Sequence, residues 1–193
     1  MKFTLKESLR NLALKVGLTA VMALMAFSTN IVFFANRVAI AATVDSGYEQ
    51  ASEEILWFAR TIYSETKKAD EQTLVAWVIR NRVESVFFPD TYKEVVLQKG
   101  QFSGMHATDK QYEINIGMDY DDSSPAWDSA LAIARSVYFA ESILRPFPKT
   151  VMHFFSPISV ASTPAWASKI DPVHEVVDPA TNTVRFAFYA DIM

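Results

Sequence analysis

Apolar residues recur at helical spacing through residues 55–82, ILWFARTIYSETKKADEQTLVAWVIRNR. Ile55, Phe58, Ala59 and Ile62 fall on one face of a helix. Ser52 is placed to cap it, and Glu53 and Glu54 suit the positive end of its dipole. A second helix is predicted from near Asp70, with Leu74, Trp77, Val78 and Val83 as its buried stripe. A short polar turn joins the two, and Glu65 stands at its start in Tyr63-Ser64-Glu65-Thr66.

Beyond this pair, Pro89 stops a loop over residues 86–90. Thr91 and Glu94 have capping-box spacing, so a short helix is expected as far as Gln98, closed by Gly100. Residues 101–124 lack periodicity and read as a surface loop carrying His106, Asp109, Asp119, Asp121 and Asp122. Ser124-Pro125 is a strong helix start. The helix it opens carries Trp127, Ala130, Leu131, Ala134, Val137 and Tyr138 on one stripe and is expected to reach about Leu144, before Pro146 and Pro148. The pattern then changes. Residues 151–155 are short, apolar and aromatic, and residues 173–177 and 184–189 flank the turn-rich DPATNT, as a hairpin would. Helices followed by a small antiparallel sheet give an α+β fold.

The first 42 residues have a different character. Lys2, Lys6, Arg10 and Lys15 precede an uncharged run over residues 16–35, and Ala39-Ile40-Ala41 matches a small-residue cleavage site. A basic head, an apolar middle and a small-residue exit make a secretory leader. The run is also about as long as a membrane span, so an uncleaved anchor over residues 16–35 fits the same pattern. Either way the remainder is expected outside the cytoplasm, in the cell envelope or periplasm, with membrane contact through the N-terminal segment only if it stays uncleaved. The expected organisation is a signal peptide or anchor over 1–42, a tether over 43–51 and one domain over 52–193.

Removing residues 1–41 leaves 13 of the 18 basic residues and 21 of the 22 acidic ones, a net charge of −8. So acidic a body argues against nucleic acid as a partner. The chain has no cysteine, which excludes disulfides and a thiol nucleophile. His106, His153 and His174 lie far apart with no metal-ligand spacing, so no metal and no cofactor is expected. No Gly-x-Ser-x-Gly nucleophile motif occurs. Glu65 is the carboxylate best placed for chemistry. Burial and the negative end of a helix favour its neutral form, whereas Lys67 and Lys68 oppose it. Composition leaves two readings open, a general acid and a solvated helix end.

The chain from about residue 53 resembles the cell-wall hydrolase family of the spore cortex-lytic enzymes. The resemblance rests on Tyr63-Ser64-Glu65, the apolar helix ending in Asn81-Arg82, Phe88-Pro89-Asp90-Thr91, Val95-Val96 and Gln101-Phe102-Ser103. His153-Phe154-Phe155-Ser156-Pro157, Pro164-Ala165-Trp166 and Arg185-Phe186-Ala187-Phe188-Tyr189 continue it. It implies a lysozyme-like fold, mainly helical, with the sheet bordering a cleft. It further implies a peptidoglycan glycosidase acting between N-acetylmuramic acid and N-acetylglucosamine, by hydrolysis or lytic transglycosylation. Glu65 would be its single acid/base and peptidoglycan glycan strands its partner. Gln101 and Ser103 are candidates for hydrogen bonds to N-acetyl groups, and Phe102, Phe155, Trp166 and Tyr189 for stacking on sugar faces, although each aromatic also suits a core. Asn81 and Arg82 are expected to be structural. Where the family commonly has Ala-Arg-Gly-Glu after its glutamate, this chain has Thr66-Lys67-Lys68-Ala69 and a shorter loop. A metal-dependent peptidoglycan amidase and a non-catalytic glycan-binding envelope protein remain as alternatives.

The leader generates the first prediction. N-terminal sequencing of the envelope-associated protein should begin at Ala42. Intact Met1 in the membrane fraction would establish the anchor, and intact Met1 found only in the cytoplasm would refute export.

Overall fold

The computed structural model describes residues 47–192, so the expected leader and the first residues of the expected tether lie outside the described residues. The chain divides into two compact units, 1–50 and 51–193. Of the first, residues 47–50 are described and are helical, where a tether was expected. The second unit opens in helix as well, and α1 denotes the described helix over 47–65. Ser52 is therefore inside a helix and does not cap it. Its hydroxyl donates to Tyr120 Oη at 3.1 Å, and the Tyr120 hydroxyl donates to the Ser52 carbonyl at 2.7 Å.

The expected apolar face of α1 is the buried one, with Phe58, Ala59 and Ile62 fully enclosed and Ile55 nearly so. Helix α2, Ala69–Val83, departs from the simple stripe. Val75, Ala76, Trp77, Val78 and Ile79 are all buried, whereas Leu74 and Val83 are only partly so. Five consecutive buried positions mean that α2 is enclosed on several sides, and it packs against α3, α5 and β1.

Helix α3, Tyr92–Val96, starts as expected, with the Thr91 hydroxyl accepting the Glu94 N–H at 3.2 Å. Gly100 follows with φ +80°, a left-handed conformation that suits glycine. The stretch read as an unpatterned loop holds a 3₁₀ turn at Ser103–Met105 and the short helix α4, Tyr112–Gly117. Helix α5, Pro125–Phe139, is capped by the Ser124 hydroxyl, which accepts the Trp127 N–H at 3.3 Å. It stops five residues short of the expected end. Arg80 Nη1 donates to the carbonyls of Val137 (2.6 Å) and Ala140 (2.7 Å), placing a cation at the negative end of α5. A 3₁₀ turn at Ser142–Leu144 follows.

Strand β1 is Val151–Phe155, β2 is His174–Asp178 and β3 is Thr183–Ala190. They form one antiparallel sheet of order β1-β3-β2. β2 and β3 make the expected hairpin, pairing His174 with Phe188 and Asp178 with Thr183. The Asp178 carboxylate accepts the N–H groups of Ala180 and Thr181, which fixes the turn. Phe186 and Phe188 on β3 join the core that α1, α2 and α5 share. The α+β architecture expected from the pattern is the one observed.

The helices are joined to the sheet through Asn81, fully buried near the end of α2. Its Nδ2 donates to the carbonyls of Val151 (2.9 Å) and Pro148 (3.3 Å), and its Oδ1 accepts from Arg145 Nε at 2.8 Å. Asn81→Ala removes the amide from the buried Val151 carbonyl and from the Arg145 Nε donor, whereas the Pro148 carbonyl keeps the Val151 N–H. It should lower unfolding free energy by about 2–4 kcal/mol, read as a lower urea midpoint at unchanged slope. A loss below about 1 kcal/mol would show that water replaces the amide.

Candidate active site

A cleft of about 1000 Å³ lies between the C-terminal end of α1, the loop over residues 100–104, the segment 109–115 and β1. Glu65, the last residue of α1, lines it and is only partly exposed. The helix brings it there because the Phe58–Ile62 face is locked into the core less than one turn earlier.

The residue after it is held on two sides. Thr66 is buried, and its hydroxyl donates to the fully buried Glu71 carboxylate, which also pairs with Arg185 of β3. Gln72 Nε2 donates to the Thr66 carbonyl and to that of Ala126, each at 3.1 Å. On the opposite side the 3₁₀ turn presses on Ser64. A Cβ placed on Gly104 would lie 3.0 Å from Ser64 Cβ and 3.0 Å from Asn115 Nδ2. Asn115, 4% exposed, closes this contact by donating to the Gly104 carbonyl at 2.8 Å. Ser64 and Thr66 are thus both packed in place, which positions the backbone of Glu65 between them.

The contest left open by composition is decided by burial. It pushes the Glu65 carboxyl up to about 7, against the pull of Arg82 and Lys67 and with a smaller upward push from Asp109. Lys68, counted as an opponent from sequence, has no part in it. Burial also brings Arg82 down to about 10, with Glu65 opposing. His153 is lowered by burial and by Arg82, and is therefore neutral at neutral pH.

The other candidate residues divide. Gln101 and Ser103 line the cleft and are exposed, as hydrogen-bonding groups should be. Phe155 and Trp166 line it too, edge to face with ring centroids 5.8 Å apart. Phe102 reaches the lining but is 2% exposed and belongs to the core. Tyr189 does not line the cleft. It is 5% exposed, stacks on Phe155 at 5.8 Å and packs edge to face on Trp166 at 5.3 Å, so it lies against the Phe155–Trp166 pair.

Among the four loop acids Asp109 lines the cleft, and Asp119, Asp121 and Asp122 do not. Asp119 and Asp122 instead stabilise their own turn, where Asp122 accepts the Asp119 N–H at 2.8 Å. Arg82, expected to be structural, also lines the cleft, as does His153. The Asn-Arg pair ending α2 was the one signal for Arg82; nothing in the sequence separated its role from that of Asn81. Among the described residues no three His, Cys, Asp or Glu gather as metal ligands would.

Residues 66–178 match the family described as Cell Wall Hydrolase, and Glu65 stands immediately before the matched segment. Among solved structures the chain is similar to the catalytic domain of the germination-specific lytic transglycosylase SleB from Bacillus anthracis. Identity is 20%, the TM-score is 0.46, and the match covers 70% of this chain and 92% of that one. No curated protein matches the chain.

The raised Glu65 pKa links stability to pH. An unfolded glutamate titrates near its ordinary value of 4.5, so between there and about 7 the folded state holds the extra proton. Stability is therefore greatest below about pH 4.5 as far as this group is concerned, falls as pH rises through the window, and levels off above about 7. At about 1.4 kcal/mol per pKa unit the fall is at most roughly 3.5 kcal/mol. Urea midpoints of the wild type and Glu65→Gln from pH 5 to 8 test this, since the variant should lack the step. Parallel profiles would show that Glu65 titrates normally.

Proposed function

The chain belongs to the cell wall hydrolase family, and on that premise we propose that it cleaves the peptidoglycan strand between N-acetylmuramic acid and N-acetylglucosamine, with Glu65 as acid and then base. The observation that carries this reading is a carboxyl pushed up to about 7, lining a cleft of about 1000 Å³. Near neutral pH such a group is protonated often enough to donate and basic enough to recover the proton, the poise that general acid–base catalysis needs.

In this reading the strand lies along the cleft, with Phe155 and Trp166 under a sugar face and Gln101 and Ser103 toward its N-acetyl groups. Glu65 gives its proton to the glycosidic oxygen as the bond to the anomeric carbon breaks. Positive charge then develops on the sugar ring, next to a newly formed carboxylate. Glu65 next takes a proton from the group that attacks the anomeric carbon. That group is water in hydrolysis, or the sugar's own hydroxyl in a lytic transglycosylase, where an anhydro ring results. Asp109 is the second carboxylate of the cleft, and its negative charge keeps Glu65 protonated to a higher pH. The protein would reach its polymer by export, directed by residues 1–41.

The test is turnover of purified sacculi by folded Glu65→Gln protein. The amide keeps the size of the side chain and cannot donate the proton, so turnover should fall by about 10²–10⁴. Wild-type turnover should decline as pH rises past about 7, where the acid is lost. Mass spectrometry of the products assigns the chemistry, with anhydro ends from transglycosylation and reducing ends from hydrolysis. Near-wild-type turnover by the variant would refute the role of Glu65, and release of free stem peptides would identify an amidase.

A further inference from the structure

Arg82 is 4% exposed, yet among the described residues only one of its donors is engaged, Nε to the Met152 carbonyl at 2.7 Å. Its Nη1 is enclosed with no hydrogen-bond partner among those residues. The guanidinium carbon lies 5.3 Å from the Phe88 ring centroid and 5.1 Å from that of Phe102. Aromatic faces offset part of a buried cation's cost but accept nothing from the edge of the fork. His153, next along β1 from the residue that anchors Arg82, has the same deficit, because its Nδ1 is enclosed and unpartnered among the described residues. Both side chains line the cleft that holds Glu65.

Glu65 acts on Arg82 through space but makes no ion pair with it among the described residues, so the enclosed Nη1 is left without an acceptor. A buried donor without an acceptor is costly, and an acceptor supplied from outside removes that cost. The local charge points the same way. The chain as a whole is acidic, but the cleft sets Lys67, Arg82 and Lys110 against Glu65 and Asp109. N-acetyl groups occur on both sugars of the strand. The chemical difference between the sugars is the lactyl ether of muramic acid, which ends in a carboxyl carbon bearing two oxygens, or one where a stem peptide is attached.

We infer that Arg82 and His153 form a subsite for the lactyl carboxyl oxygen of muramic acid, and so decide which sugar lies against β1. The inference rests on the glycan reading of the cleft and adds to it the group that is recognised. A planar guanidinium fork suits a carboxylate on two donors, or an amide carbonyl on one. Docking there fixes the muramic residue beside Glu65, so that the cleft distinguishes the two alternating bonds of the strand.

The experiment titrates the full exported chain with N-acetylglucosamine, N-acetylmuramic acid and N-acetylmuramoyl-L-alanyl-D-isoglutamine, following tryptophan fluorescence. Both muramic ligands should bind about tenfold more tightly than N-acetylglucosamine, as a charge-assisted hydrogen bond provides. The tighter of the two identifies the natural form, free carboxylate or peptide-bearing amide. Arg82→Gln, checked by circular dichroism, should abolish the preference while leaving N-acetylglucosamine binding unchanged. Should that variant fail to fold, His153→Phe on the partly exposed strand should reduce the preference severalfold. Equal binding of the three ligands, no binding of any, or a preference that survives in a folded variant would overturn the inference. None of these outcomes depends on turnover, so active Glu65→Gln protein would defeat the acid/base assignment and leave this subsite standing.

Discussion

The fold depends on the need of one enclosed helix to satisfy polar groups that water cannot reach. Helix α2 carries Glu71, Gln72, Asn81 and Arg82, all buried. A polar group removed from water costs free energy unless it is bonded, so each must draw a partner from elsewhere in the chain. Glu71 draws Arg185 across 114 positions, Gln72 draws the Ala126 carbonyl, and Asn81 draws the turn that leads into β1. These bonds hold the sheet and α5 in place around the apolar packing, which by itself would tolerate many arrangements. They also explain why the cleft lies where it does. The same side chains that fasten α2 to its neighbours fasten Thr66 and, through it, the end of α1.

The electrostatics of the cleft follow from that enclosure. A carboxyl at the end of a surface helix beside lysines would be held in the ordinary acidic range. Here the surrounding chain removes enough water that desolvation outweighs both Arg82 and Lys67. The result is a carboxyl that is protonated part of the time near neutral pH, a neutral imidazole and a cation lining one cavity. That combination suits a substrate rich in hydroxyl and carbonyl oxygens, because every one of these groups can exchange a hydrogen bond with it.

Local features of the fold were legible in the sequence. The stripe of α1, the caps at Thr91 and Ser124, the three strands and the hairpin all follow from short-range spacing and turn chemistry. What escaped was set by distant partners. Helix α4 has six residues, too few to persist alone, and it stands because Asn115 reaches the Gly104 carbonyl. The early end of α5 depends on Arg80, 57 positions before Val137. At the site, Glu65, Gln101 and Ser103, singled out from sequence, line the cleft; Arg82, expected to be structural, lines it too, and Tyr189, expected at a sugar face, does not. Which of these side chains reaches the cleft is set by burial, and burial cannot be known before the sheet is placed against the helices.

The close approach of Gly104 to Ser64 bears on how such a site can change over generations. The 3₁₀ turn has two faces. Gln101 and Ser103 face the cleft and are exposed, so replacements there alter the cleft lining and little else. Gly104 faces the seat of the acid with no space for a methyl group unless Ser64 or Asn115 gives way. One side of this five-residue loop has room for other side chains, while the other side has none to spare. A laboratory library aimed at new polymers would do well to randomise positions 101 and 103 and to leave the hydrogen atom at 104 where it is.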